Sequence, residues 1–191
     1  MKKYAIISLL LALILVFSAC GKKNQKKYLT DADLTINNMN IANGLGAAKA
    51  SDSLETDDGT KTTYLSYDGV MQTIIDNNKS LRNNYVISSD TVEGPFGVKI
   101  GDSKDDVRGI FISDIDQTVT YSGDSSPFYV CHYKDENGFK YASIGGMKGD
   151  DITLELYKQD ANSKSVKSAT VIFAIENGKV SYITIDTVQH K

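Results

Sequence analysis

Two short links, Asp68-Gly69 and Asn177-Gly178, constrain this chain more than anything else in it. Each separates two runs rich in β-branched and aromatic residues: 62–67 from 70–75, and 169–175 from 180–188. A two-residue link of this kind is the strongest short-range hairpin signal, because the turn that matches strand twist needs positive φ at both central positions. Other runs follow the same logic. Asn77-Asn78-Lys79 turns the chain into a third strand near 81–89, and Asp135-Glu136-Asn137-Gly138 joins 128–133 to 139–144. Residues 152–157 alternate Ile152, Leu154 and Leu156 with Thr153, Glu155 and Tyr157, which predicts a strand with one buried face.

Elsewhere the pattern is weaker. Leu34, Ile36, Met39 and Ile41 allow a short strand at the start of 29–53. Residues 42–53 read as a poor helix, weakened by Gly44 and Gly46 at about 1 kcal/mol each. The polar segment 56–61, with Asp57-Asp58-Gly59, is a loop. Ser103 followed by Asp106 marks a helix start, and Val107, Ile110 and Phe111 fall on one face of the two to three turns that follow. Residues 114–126 carry no clear period and leave room for a second helical turn. The expected fold class is α+β: antiparallel sheet with short helices packed on one face, in two tandem small units, 28–94 and 95–191.

The tandem expectation rests on a repeat. The run from Asn84 through Tyr85-Val86-Ile87 to Val92 matches the run from Ser181 through Tyr182-Ile183 to Val188 with one gap, and each follows a turn ending in lysine. One supersecondary unit used twice produces such a match; so does coincidence between two strands. The helix entry Gly101-Asp102-Ser103-Lys104-Asp105-Asp106-Val107 resembles that of the β-lactamase inhibitory protein superfamily and of small outer-membrane-assembly lipoproteins. The resemblance implies helical pieces on one face of an antiparallel sheet. The lysine-rich run to a glycine-proline that those families carry after this point is missing, and no functional residue is transferred.

The first twenty residues resemble a bacterial lipoprotein signal. Lys2 and Lys3 precede an apolar run from Tyr4 to Phe17, and Ser18-Ala19 leads to Cys20. The run falls short of the roughly 20 residues that a membrane-spanning helix requires. The resemblance implies cleavage by signal peptidase II between Ala19 and Cys20, with diacylglycerol on Cys20, and therefore an extracytoplasmic, membrane-anchored chain. Phe17 stands where that motif usually has leucine. A signal peptide at 1–19 and a lipidated, basic tether at 20–27 are the domain boundaries expected ahead of the body.

The mature chain from Cys20 carries 19 basic and 24 acidic side chains. Four of the bases lie in Gly21-Lys22-Lys23-Asn24-Gln25-Lys26-Lys27, so from Tyr28 onward 15 bases face 24 acids. Lysines beside an anionic membrane each contribute roughly 1 kcal/mol; the same segment also serves as a plain solvated spacer. An acidic body argues against nucleic-acid partners, which require clustered positive charge. With Cys20 acylated, Cys131 has no partner in the chain; the flanking Tyr129, Val130 and Tyr133 place it on a strand and predict burial.

Catalytic constellations are scarce in the sequence. Gly123-Asp124-Ser125-Ser126-Pro127 lacks the glycines of an oxyanion hole, and the two histidines, His132 and His190, are poorly placed to form a triad. Cys131 and His132 are strand neighbours and point to opposite faces. No acidic run has the ligand spacing of a calcium loop, scattered histidine and cysteine disfavour a transition-metal site, and Gly145-Gly146-Met147-Lys148-Gly149 lacks phosphate-loop spacing. No cofactor is expected. The function expected is a non-enzymatic protein-binding or scaffolding lipoprotein with a partner in the cell envelope; the alternatives are an envelope hydrolase and a small-molecule-binding sensor. Tyr64, Tyr67, Tyr85, Tyr129, Tyr133, Tyr141, Tyr157 and Tyr182 fall on predicted strands, where they either line an exposed sheet face or pack the core.

Overall fold

The computed structural model describes residues 27–115, 126–134, 140–159 and 165–191. Cys20, the proposed cleavage site after Ala19, the 135–138 turn and most of 114–126 lie outside the described residues.

A hairpin, β1 (Thr35–Ile36) and β2 (Met39–Asn40), precedes a nine-stranded antiparallel sheet. The sheet strands are β3 (Ala50–Glu55), β4 (Lys61–Tyr67), β5 (Val70–Asp76), β6 (Ser80–Ile87), β7 (Ser126–Lys134), β8 (Lys140–Lys148), β9 (Asp151–Gln159), β10 (Ser165–Glu176) and β11 (Lys179–His190). Their spatial order is β3-β4-β5-β6-β11-β10-β9-β8-β7. The two hairpin-rich stretches meet where β6 lies antiparallel to β11, with Ile87 opposite Ile183 and Tyr85 opposite Ile185. The two repeated segments are thus next to each other in the middle of the sheet.

The expected α+β class is corrected. The described chain is mostly β, and its one α-helix, α1 (Lys104–Ile110), has seven residues; no layer of helices packs on the sheet. The sequence reading erred at 42–53, where Gly44 and Gly46 both adopt positive φ and break any helix. That segment instead forms a 3-10 turn at Ile41–Asn43 and then edge strand β3. The α1 start is as read: the Ser103 hydroxyl accepts the Asp106 N–H at 3.1 Å and donates to the Asp106 carboxylate at 2.7 Å.

Turn chemistry differs between the two strongest hairpins. Asn177 and Gly178 have φ of 52° and 75°, the paired positive values expected. At Asp68-Gly69 only Gly69 is positive, at 70°, so the link closes with a different turn and keeps the register Tyr67 to Val70. Asn37 and Asn38 form a third two-residue link at φ 49° and 61°; asparagine tolerates this region better than other non-glycine residues.

One sheet face is covered. Val70, Tyr85, Ile87, Leu154, Leu156, Val171, Phe173, Ile183 and Ile185 project from it into a single apolar cluster. Leu29, Leu34, Ile36 and Ile41 from the leading segment, and Val92, Val98, Val107 and Phe111 from the β6–β7 connection, close over them. Each such side chain, fully buried, stabilises the fold by roughly 1.5–3 kcal/mol. Irregular segments and short turns form most of this second layer, and the seven-residue helix α1 adds Val107 to it.

At the β7 end the packing is aromatic. Phe111 sits edge-on to Phe96 at 5.0 Å between ring centroids and is tilted against Phe128, Tyr129 and Phe173 at 6.1–6.4 Å. Tyr129 lies opposite Gly145, and its ring occupies the space a Cβ on Gly145 would need. Pro127 and the register shift beside it are tolerated because β7 is an edge strand.

Candidate functional site: a polar cleft under the leading segment

Where residues 31–44 pass over the sheet they leave a cleft of about 1000 Å³. Its floor is Gln72 on β5, Asn83 and Tyr85 on β6, and Thr187 and Gln189 on β11. Asp31, Asn40 and Ile41 of the leading segment line it as well, with Lys158, Ser168 and His190 from the sheet.

The floor exists because of a break in strand alternation. Inward positions of β5 read Val70, Gln72, Ile74, so an amide occupies a position where an aliphatic would complete the core. Gln72 is only 7% exposed. Its hydrogen-bonding groups are engaged: its amide donates to the Tyr85 hydroxyl at 3.0 Å and the Asn83 side-chain oxygen Oδ1 at 3.1 Å, and its own oxygen accepts from the Tyr67 hydroxyl at 3.1 Å. Burial, with Tyr67 nearby, pushes the Tyr85 pKa upward, which keeps that hydroxyl neutral across the physiological range. The rim is tied down at the C-terminus, where Lys191 pairs with Asp76 and donates to the Asn77 carbonyl at 2.8 Å.

Chemically the lining offers neutral donors and acceptors beside apolar wall. Among the described residues its titratable members are Asp31, Tyr85, Lys158 and His190, with Asp31 the single carboxylate of these. Among the described residues no group of three or more His, Cys, Asp or Glu side chains is placed to hold a metal ion, and no helix is long and apolar enough to cross a membrane.

The tyrosines divide between the faces. Tyr85, Tyr129 and Tyr141 are buried, Tyr67 and Tyr157 are half-buried, and Tyr64 and Tyr182 stand exposed with Met71 on the outer face. That face also carries ionic clusters. Arg82 forks onto Asp186 with Nε contacts of 2.8 and 3.1 Å. Glu155, 8% exposed, accepts the Tyr157 hydroxyl at 3.0 Å and pairs with Lys167.

Cys131 is half-buried rather than buried as expected, its thiol 3.7 Å from the Ser143 carbonyl oxygen. It lies on β7, the last strand of the sheet, beside Val130, whose N–H donates to the Asp114 carbonyl at 2.9 Å. His132 is exposed on the same strand, and Asp124 and Ser125 lie outside the described residues. Gln72 and Asn83 were not singled out in the sequence; the visible signal was a glutamine at an inward position of a strand otherwise aliphatic there.

No protein-family model, curated protein or solved structure matches the chain.

Proposed function

We propose that this chain is a membrane-anchored extracytoplasmic lipoprotein, acylated at Cys20, that binds an extended polar segment of an envelope protein in the cleft and does no covalent chemistry on it. The observation that carries the reading is the Gln72–Asn83–Tyr85 network. Gln72, engaged within the network, holds the Asn83 amide and the Tyr85 hydroxyl at the base of a partly apolar groove beside Thr187 and Gln189. Side-chain amides and hydroxyls of this kind match the peptide group, which presents one donor and one acceptor per residue. The anchor rests on Ser18-Ala19-Cys20 and the lysines that follow.

The cleft volume favours a second reading, a small polar solute held by the same groups, because about 1000 Å³ is the upper end of the range for small-molecule sites.

The test places a photo-crosslinking residue at Gln189, the exposed end of the cleft floor, or at Tyr64 on the outer face, in cells carrying the full chain. A discrete protein adduct from Gln189 alone supports the reading. Adducts only from Tyr64 move the contact to the outer face, and steady turnover of an envelope substrate by the purified protein replaces binding with catalysis. Cys20→Ala, fractionated in parallel, is expected to leave the membrane pellet.

A further inference from the structure

The leading segment enters the fold at a defined place. The Lys27 N–H donates to the Ile110 carbonyl at 2.9 Å, and the Ile112 N–H donates to the Lys27 carbonyl at 3.0 Å, so Lys27 pairs in parallel with Phe111. The Lys27 ammonium stands 5.8 Å from the centre of the Phe96 ring. Phe111 in turn lies against Phe173 on β10, whose partner on β11 is Ile183. Lys27 is therefore held at the level of Ile183, toward the end of the sheet where α1 sits.

Cys20 precedes Lys27 by seven residues. Fully extended, those steps reach at most about 25 Å. From Ile183 to His190, at the cleft end of β11, is seven strand residues, or about 23 Å. Standing the molecule on its cleft end would stretch the tether to its limit and remove nearly all its conformational freedom. The opposite orientation lets it remain slack.

The surface around the entry point suits a lipid headgroup layer. The Arg108 guanidinium stacks on Phe128 at 3.8 Å, Phe96 and Phe128 are half-buried, and Ile115 is 49% exposed. Lys22, Lys23 and Lys26 lie in the tether just ahead. Local acids are partly engaged: Glu93 pairs with Lys99 at 3.1 Å and Asp106 caps α1, while Asp105 and Asp114 are exposed. Cations stacked on aromatics, with apolar area at the rim, are the features of interfacial anchoring.

We infer that the face formed by Lys27, Phe96, Arg108, Phe128 and Ile115 rests on the membrane surface as a second contact beside the acyl chain, and holds the cleft outward. The inference rests on acylation of Cys20. The two chains of a diacylglycerol already give stable attachment, so this contact sets the orientation of the body and not whether it stays on the membrane.

The chain contains no tryptophan, so a single introduced indole reports position. The full chain, purified from membranes, is reconstituted into vesicles of anionic phospholipid carrying headgroup-level spin-labelled lipid. Ile115→Trp and His190→Trp are compared, both at exposed positions. The expected result is quenching of the first and none of the second. Equal quenching, or quenching only of His190→Trp, overturns the orientation. Mass analysis of the N-terminal peptide separates the two levels: an acylated chain with the wrong quenching pattern sinks only the orientation, whereas a chain without thioether-linked lipid sinks the anchor and the orientation together.

Discussion

The Leu29 backbone N–H donates to the Tyr129 hydroxyl at 3.1 Å, across a separation of 100 residues. The same oxygen lies 3.2 Å from the Ser143 hydroxyl. Both Leu29 and Ser143 are fully buried, so one phenol satisfies polar groups from the leading segment and from β8 while its ring fills the space over Gly145. It joins the covering layer to the sheet two residues after Lys27, where the described chain begins.

Tyr129→Phe keeps the ring and removes that oxygen. Stranding a buried N–H costs about 1–3 kcal/mol, so the urea midpoint is expected to fall with little change in slope. An unchanged midpoint would show that Leu29 finds another partner.

Gly145→Ala tests the same contact from the sheet side. An added Cβ meets Phe128 Cε2 at 2.7 Å and presses harder still on Tyr129 Cε1. Overpacking of this kind costs typically about 1–3 kcal/mol. Thermal unfolding of this variant should begin below wild type, and Gly149→Ala is no control because its φ of 62° adds backbone strain of its own.

Gln72→Leu removes the centre of the cleft floor. The Tyr67 hydroxyl loses its acceptor, and the Tyr85 and Asn83 oxygens lose their donor. Crosslinking from Gln189 is expected to fall sharply while the far-ultraviolet spectrum stays wild type. Full retention of the adduct would mean that the network does not touch the bound segment.

Alkaline titration reads the buried phenols. Burial, the largest cause in each case, raises the pKa of Tyr85, Tyr129 and Tyr157, the last reinforced by the Glu155 charge. Their folded values lie above the ordinary 10.0, so the stability they confer is complete below about that pH and is lost as pH rises through the raised values. Absorbance at the phenolate band should show these three ionising late, together with unfolding. A single titration of all tyrosines near the ordinary value would contradict their burial.

Much of the strand inventory was legible locally. Asn177-Gly178 and the Ser103 cap carry their physics within a few residues and are found as read. The strand over 152–157 is also found, but Thr153 and Glu155, expected on its wetter face, are buried along with Ile152, Leu154 and Leu156. The poor helix at 42–53 failed because propensity over a weak window does not outvote two glycines at positive φ and a free sheet edge beside β4.

Sequence alone determined that this chain would make hairpins, with aliphatics at alternate positions, because turn geometry and the two-residue strand period act over short distances. Only the tertiary structure decided that β6 pairs with β11, that Gln72, Asn83 and Thr187 come to one floor, and that Leu29 meets Tyr129. Those contacts join residues about a hundred positions apart, and what selects them is the burial of a whole sheet face at once, a quantity that belongs to the assembled fold and to no single stretch of it.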